Sequence, residues 1–315
     1  MKRTSIALLI VVVLLALVSA SLVSATPLYP PSDDGPTGTT VQSAPGPFSP
    51  SPFNPDAVLW DNGPLVNSPG TGPGGSDESI AMNITYGLTS RGSNVSALAN
   101  ARIADNFTVA DSGGWNITGI TFFIYMGGGP PTTPSPFSAL NFQIWDGPPD
   151  DPGSTVVYGD TFTNRMSSTS WANMYRRLES EPQDTSRPVF FLQVADSFTL
   201  PAGDYWLDWE ADGDPLYSGP WQPPVTIDGQ TSTGNAKQYF GDAWQEVLDA
   251  GLGTPLGAPF VIEGTVNPPT AVTLSSLTSD SGSNALAIWL VVLTLGVAAF
   301  AGLALGRRRL AADSC

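Results

Sequence analysis

Residues 204–214 read DYWLDWEADGD and gather five carboxylates and three aromatic rings within eleven positions. Carboxylates at this density can bind a cation or act as acid and base, and flat rings can stack on a sugar. If 204–210 form a strand, side chains alternate between its two faces. Residues of odd number are then predicted to face a core, and Trp206, Asp208 and Glu210 to share the outward face.

The turn chemistry at the end of this stretch favours a cation site. Asp208, Glu210, Asp212 and Asp214 would offer carboxylate oxygens, the ligands that calcium prefers. An EF-hand loop is excluded, because its twelfth position is Gly219 where a bidentate glutamate is required. A calcium site of another geometry stays open, beside the plain alternative that Asp and Gly only shape a turn.

The same carboxylates have the spacing of a catalytic pair. Asp208 and Glu210 are two residues apart, which on a strand corresponds to about 6–7 Å between Cα atoms. Glycoside hydrolases use two carboxyl groups about 5–9 Å apart across the scissile bond. No familiar hydrolase motif surrounds the pair, and in so acidic a chain such a pair also arises by chance. Asp208 and Glu210 are therefore candidate catalytic residues of a glycan hydrolase.

Tryptophan side chains suggest a third chemistry, carbohydrate binding. Trp206, on the outward strand face, and Trp221, in the stretch GPWQPP, are the candidate ligand-binding rings, because flat rings with polar neighbours suit pyranose faces and large rings are rarely exposed without a function. The alternative is that both belong to the core, as most tryptophans do.

Composition excludes several function classes. The chain contains no histidine, which rules out Ser-His-Asp catalysis and histidine-bound metals. Its one cysteine is Cys315, so the domain before it has neither a disulfide nor a thiol nucleophile. Residues 4–306 hold 27 acidic and 7 basic side chains, the wrong balance for a nucleic-acid partner.

Two apolar segments predict where the protein resides. Residues 1–25 combine Lys2 and Arg3, an apolar run and small residues before position 26, which indicates a secretory signal peptide, with an uncleaved anchor as the alternative. Ala285–Leu305 contains no charge over a length of about 31 Å, enough to cross a bilayer. Three arginines follow at 307–309 and predict a cytoplasmic end, so the membrane is a predicted partner.

The C-terminal tail resembles bacterial sorting signals of the sortase and exosortase type, in its spacer, apolar span and arginine cluster. Neither an LPxTG nor a PEP motif precedes the span. The resemblance implies anchoring in the cell envelope. Because both motifs are missing, a plain membrane anchor formed by the apolar span is sufficient to explain the tail.

Between these segments, short β-rich runs alternate with Gly, Pro, Asn and Asp, which predicts an all-β, single β-sandwich or jelly-roll-like ectodomain. The stretch 241–253 is predicted to be a short helix, since Trp244, Val247 and Leu248 would share a face. Long loops are predicted at 127–138 and 211–224, where sandwiches often carry binding sites. Eight runs are predicted to be strands: 103–109, 116–126, 140–146, 155–161, 171–177, 188–194, 204–210 and 259–266.

Short sequence motifs along the domain also resemble a known bacterial module. The series LWDNGP, ADNFTV, GWNITGITFFIY, LPAGDYWLDW, GPWQPPVTI and PFVIEG resembles a module that recurs in secreted and surface proteins of bacteria. The resemblance covers about 205 residues and implies an autonomous extracellular β domain. It implies no catalytic residues, because no activity is established for that module.

Scarce basic residues on an acidic body give one further expectation. Arg176, Arg177 and Arg187 are predicted to pair with nearby acids, with an anion site as the alternative.

The chain as a whole is predicted to be a surface-anchored binding or adhesion protein, with carbohydrate as the first ligand class and a glycan hydrolase or a purely structural envelope protein as alternatives. The predicted segments are a signal peptide (1–25), a Pro/Ser-rich linker (26–55), the β-sandwich (56–266), a stalk (267–284), a transmembrane helix (285–305) and a cytoplasmic tail (306–315).

Overall fold

A computed structural model describes residues 57–268. The predicted signal peptide, linker, transmembrane helix and cytoplasmic tail lie outside these residues, as does most of the predicted stalk. The described part consists of strands, loops and two short 3-10 turns at Pro73–Gly75 and Ala97–Ala99. Between residues 57 and 268, no helix has the length and apolar character needed to span a membrane.

Fifteen strands are formed by the described residues. In chain order they are β1 (Ala57–Asp61), β2 (Asp77–Ala81), β3 (Ser93–Asn94), β4 (Arg102–Val109), β5 (Trp115–Gly127), β6 (Phe137–Trp145), β7 (Val156–Asp160), β8 (Ser168–Leu178), β9 (Pro188–Val194), β10 (Phe198–Leu200), β11 (Gly203–Gly213), β12 (Ser218–Gln222), β13 (Lys237–Phe240), β14 (Ala243–Glu246) and β15 (Phe260–Val266). Each of the eight predicted strands overlaps one of them, so the all-β prediction is confirmed.

Two sheets build the domain. The nine-stranded sheet has the order β1-β15-β5-β9-β8-β2, with β10 and β12 also paired to β5 and β3 paired to β12. The six-stranded sheet has the order β14-β13-β4-β11-β6-β7. The pairs in both sheets are antiparallel except β2 with β8. This arrangement is β-sandwich-like, as the sequence predicts.

The core lies between the inner faces of the two sheets. Phe122 of β5 lies 5.3 Å from Trp209 of β11 and 6.2 Å from Phe142 of β6, measured between ring centroids. Phe260 of β15 meets Trp209 from the same side at 5.8 Å. All four rings are fully buried. Buried aromatic area of this kind supplies much of the stability that disulfides provide in smaller secreted domains.

The prediction of a helix at 241–253 is wrong. Residues 237–246 form a hairpin, β13–β14, whose two-residue turn places Gly241 and Asp242 at φ +62° and +65°. Positive φ at both central residues is the turn geometry that matches strand twist, and Gly and Asp tolerate it. Val247 is buried while Leu248 is 45% exposed, so the supposed apolar face does not exist.

The long loop predicted at 211–224 is also wrong. Strand β11 continues to Gly213 and β12 begins at Ser218, which leaves only a short turn between them. Residues 128–136 do connect β5 to β6 without regular structure, as predicted for this region. Most of residues 211–224 therefore belong to strands β11 and β12 and do not form a long binding loop.

Candidate functional site

Strand β11 alternates as predicted, and this places the carboxylate cluster on the outer face of the six-stranded sheet. Tyr205, Leu207 and Trp209 lie in the core between the sheets. Asp208 and Glu210 therefore project from the opposite face, where they meet residues of β4 and β6. The register pairs Asp208 with Ala104 on one side and with Gln143 on the other.

The expectation that this outward face is open to solvent is wrong at its centre. Trp206, Asp208 and Glu210 are 6%, 0% and 5% exposed. They are covered because longer side chains of neighbouring strands close over them. The sequence cannot reveal this cover, since Arg102 and Gln143 are 106 and 65 positions away from Asp208.

Asp208 is the centre of a buried polar network. Both of its oxygens lie 3.3 Å from Arg102 Nε. Its Oδ2 also accepts hydrogen bonds from Gln143 Nε2 at 2.7 Å and Trp145 Nε1 at 3.1 Å. Burial raises the pKa of Asp208, while Arg102 and the donors Gln143 and Trp145 act in the opposite direction. Both oxygens of Asp208 therefore have hydrogen-bond donors, which favours a structural role for this residue.

Glu210 lies one step further along the same face. It accepts a hydrogen bond from Asn141 Nδ2 at 3.1 Å. Burial raises the pKa of Glu210, the hydrogen bond from Asn141 and the charge of Arg102 act in the opposite direction, and the neighbouring carboxylates Asp208 and Asp212 add to the rise. The side chain of Glu210 accepts from one side-chain donor, whereas that of Asp208 accepts from three, so Glu210 is the less saturated of the two predicted catalytic carboxyl groups.

Aromatic rings flank this network on the hairpin side. The guanidinium carbon of Arg102 lies over two rings, 4.3 Å from the centroid of Tyr239 and 5.5 Å from that of Trp244. Tyr239 and Trp244 pack edge to face at 5.4 Å and both are half-buried. Trp145, also half-buried, lies across the network. Contacts thus run continuously from β14 to β6. We refer to this surface as the platform, formed by Arg102, Asn141, Gln143, Trp145, Asp208, Glu210, Tyr239 and Trp244.

Trp206 belongs to the same face but is covered. The ammonium group of Lys237 lies 5.8 Å from its ring centroid and is held there by Asp150 at 2.7 Å. The connection from β6 to β7, which carries Asp150, therefore reaches across to β13. Trp206 is positioned beside Trp145, its register partner, without being accessible.

Trp221 lies elsewhere. It is 9% exposed in β12, and its Nε1 donates to Ser218 Oγ at 3.2 Å. It packs with Phe123, Tyr125 and Met174 in a second apolar cluster. Since the neighbours of Phe123 on β5, Phe122 and Ile124, face the core, this cluster lies on the outer face of the nine-stranded sheet. The two predicted ligand-binding tryptophans are therefore on opposite outer faces.

The four predicted calcium ligands do not converge. Asp208 and Asp212 are four strand residues apart, about 13 Å along β11. Asp214, beyond the strand, accepts the backbone N–H of Leu216 at 3.0 Å. Among residues 57–268, no group of three or more acidic, cysteine or histidine side chains is placed to hold a metal ion.

The residues that complete the platform are ones that sequence reasoning missed. Tyr239 and Trp244 lie on the hairpin that the sequence presents as a helix. The signal that finds them is the pair Gly241–Asp242 between two polar-aromatic runs, KQYF and AWQE, which is a hairpin pattern. Arg102 carries no local signal, because its role depends on pairing between β4 and β11.

Comparisons with known proteins bring no further information: no protein-family model, curated protein or solved structure matches this chain. The resemblance to a bacterial surface module stays a prediction.

Proposed function

We propose that this protein is a binding module held at the cell surface by its C-terminal apolar segment, and that the platform is its glycan-binding surface. The placement outside the cell rests on the sequence features of residues 1–25 and 285–305. The ligand class rests on one observation. Three half-buried rings, Trp145, Tyr239 and Trp244, border a row of fixed amide, carboxylate and guanidinium groups on one sheet face.

Sugars are recognised by this combination of groups. The faces of a pyranose ring carry C–H groups that pack on aromatic rings, and its hydroxyls need donors and acceptors whose positions are fixed. On the platform, the partly exposed guanidinium group of Arg102 is fixed by Asp208. A sugar that lies across β13 and β14 would contact Tyr239 and Trp244 without displacing the hydrogen bonds of Asp208.

The experiment is a glycan array probed with the full-length chain, kept in a detergent without a sugar headgroup. We expect retention of a defined glycan class. Trp244→Ala should weaken binding about two- to tenfold, because one aromatic contact is worth about 0.5–1.5 kcal/mol. Phe162→Ala is the matched control, since Phe162 is an 84% exposed ring outside the platform and its loss should leave binding unchanged.

Two outcomes would favour the alternatives. If no glycan is retained, or if Phe162→Ala weakens binding as much as Trp244→Ala, the platform is not a sugar site and a structural role is favoured. If reducing ends are released from a bound glycan and Glu210→Gln stops the release, the protein is a hydrolase. The geometry favours binding over hydrolysis, because Asp208 has no exposed surface and its oxygens already accept Arg102, Gln143 and Trp145.

A further inference from the structure

One buried acid of the platform has an oxygen without a hydrogen-bond donor. Glu210 is 5% exposed, and Asn141 donates to its Oε1 at 3.1 Å. Its Oε2 accepts no hydrogen bond from residues 57–268 and, unlike the hydroxyl of Tyr175, is not sealed from solvent. Since buried polar groups are nearly always hydrogen-bonded, this oxygen marks a place for a donor that comes from outside the chain.

Five other buried acids show how structural carboxylates are bonded in this domain. Each accepts hydrogen bonds on both oxygens, from arginine, amide, indole, hydroxyl or backbone N–H donors. These acids are Glu78, Asp105, Asp184, Asp208 and Asp249. Glu210 differs from all five, because only one of its oxygens has a donor.

The scarce arginines do not supply the missing partner. Arg177 donates to both oxygens of Glu78 at 2.6 and 2.9 Å, and Arg187 pairs with Asp184, as expected from the sequence. The expectation of an ion pair is wrong for Arg176, whose guanidinium group donates to two hydroxyls and two backbone carbonyls. All three lie on or beside strands of the nine-stranded sheet, so none of them neutralises the platform.

The charges closest to Glu210 leave an excess of negative charge. Three charged groups act on it, the carboxylates of Asp208 and Asp212 and the guanidinium group of Arg102. Arg102 is paired with Asp208, 3.3 Å from its Nε, and forms no ion pair with Glu210. A cationic group placed at Glu210 would therefore be attracted, whereas an anionic group would be repelled.

Glu210 lies in one row with the aromatic rings, across the strands of the six-stranded sheet. The register pairs Trp244 with Tyr239 and Tyr239 with Arg102, and the pairing of β4 with β11, continued by one residue, sets Arg102 opposite Glu210. Neighbouring strands are about 4.8 Å apart, so about 14 Å separate the first residue of the row from the last. A short oligosaccharide that stacks on Trp244 and Tyr239 can therefore reach Glu210.

We propose that the platform selects glycans that carry a free amino group, and that Glu210 binds this group as an ammonium ion. The inference rests on the proposed glycan-binding function. An ammonium group donates the hydrogen bond that Oε2 lacks and also supplies a counter-charge. A sugar hydroxyl or an acetamido group would donate without neutralising the carboxylate, and a sugar acid would add to the negative charge.

The experiment is isothermal titration of the full-length chain, in the detergent used for the glycan array, with three β-1,4-linked tetrasaccharides. The tetramers of glucosamine, N-acetylglucosamine and glucose carry an ammonium, an acetamido or a hydroxyl group at C2 of each sugar, and at about pH 6 the sugar amine is protonated. We expect the glucosamine tetramer to bind at least about tenfold more tightly than the other two, the gain from one charge-assisted hydrogen bond.

The outcomes separate this inference from the proposed function. If the array retains a glycan but the glucosamine tetramer gives no heat, or binds no more tightly than the other two tetramers, the selection of amino sugars is overturned and glycan binding stands. If the array retains nothing and none of the three tetramers binds, both are overturned.

Two variants that remove one negative charge test the location. Glu210→Gln keeps an acceptor for Asn141 and should reduce the preference for the glucosamine tetramer to about threefold or less, with no fall in Tm. Glu246→Gln is the matched control, because Glu246 is exposed on the same sheet face, two residues from Trp244, and its loss should leave the preference unchanged.

Two results with these variants would sink the proposal. An equal loss of preference in both would show only a general attraction between a polycation and an acidic chain. An unchanged preference in Glu210→Gln would exclude Glu210 as the binding residue. Should Glu210→Gln fail to fold, the comparison of the three tetramers on the unmodified chain still decides the ligand class.

Discussion

At the scale of single residues, charge and burial oppose each other at Asp105. Its side chain lies on the core side of β4, 2% exposed, and joins the two sheets. Oδ2 accepts hydrogen bonds from Asn62 Nδ2 at 2.9 Å and from Ala258 N at 2.8 Å. Burial raises its pKa to about 6, and these donors only partly compensate. The acid therefore stabilises the fold through its hydrogen bonds and destabilises it through its charge.

This residue gives a pH prediction. Because the folded-state pKa is raised from 3.8 to about 6, the folded protein holds the proton more tightly than the unfolded chain. The contribution of Asp105 to stability is complete below pH 4 and is lost as pH rises through 6, by about 3 kcal/mol. We expect the difference in unfolding free energy between wild type and Asp105→Asn to shift by about this amount, in favour of the variant, between pH 4 and pH 7. Chemical denaturation at the two pH values measures it, and a pH-independent difference would contradict the assignment.

For Arg102 we predict that substitution destabilises the protein, whereas the Asp105 variant is predicted to gain relative stability as the pH rises. It is the only cation in hydrogen-bonding contact with Asp208 among the described residues. Arg102→Met should destabilise the protein by about 3–5 kcal/mol, because it leaves a buried carboxylate without a counter-ion. The double variant Arg102→Met/Asp208→Asn should recover at least half of this loss. If both variants are equally unstable in urea denaturation, the charge of Asp208 is not the cause.

These residues show what sequence reasoning reaches and what it does not. Alternation along β11 correctly separates Leu207 and Trp209 from Asp208 and Glu210, because the period of a strand is a local property. Burial of that outward face is not local. It depends on which strands flank β11, and the side chains that cover Asp208 come from β4 and β6.

At the scale of elements, the β13–β14 hairpin shows why a local pattern misleads. Trp244, Val247 and Leu248 have helical spacing, but Trp244 lies on the outer face, Val247 is in the core and Leu248 is exposed. Pairing of β13 with β4 fixes the hairpin on the sheet and overrides the helical spacing. The eight longer predicted strands are found because their β-branched and aromatic runs agree with their tertiary setting.

The hairpin turn offers a test of this account. Gly241 has φ +62° and open space around the position of a Cβ atom, so a substitution there costs only backbone strain. Gly241→Val should destabilise the protein by about 1–2 kcal/mol and reduce glycan binding through Tyr239 and Trp244. Asp242→Asn is the matched control, since asparagine tolerates the same conformation. Thermal unfolding measures both, and an equal effect of the two substitutions would contradict a strained turn.

At the scale of the whole molecule, the sandwich brings the two ends of its described sequence together. β1 and β15 are neighbours in the nine-stranded sheet, with Ala57 paired to Gly264. β15 in turn pairs with β5 in the centre of that sheet. The first and last strands therefore depend on each other, and Asn62, just after β1, contacts Ala258, just before β15. Because the first and last strands are neighbours, we expect the same fold to form when the chain begins at another point.

A circular permutant tests that conclusion. In it, a short Gly/Ser linker joins residue 268 to residue 57, and new ends open between Pro131 and Thr132, in the exposed loop before β6. Because the linker spans strands that already pair, we expect the permutant to keep its β-sheet circular dichroism and to unfold cooperatively within about 2 kcal/mol of the linear 57–268 fragment. A second permutant, opened between Phe122 and Phe123 in the central strand β5, should not fold, because it divides the strand that pairs with β15 and β9. Equal stability of the two permutants would mean that the pairing of β5 does not hold the nine-stranded sheet together.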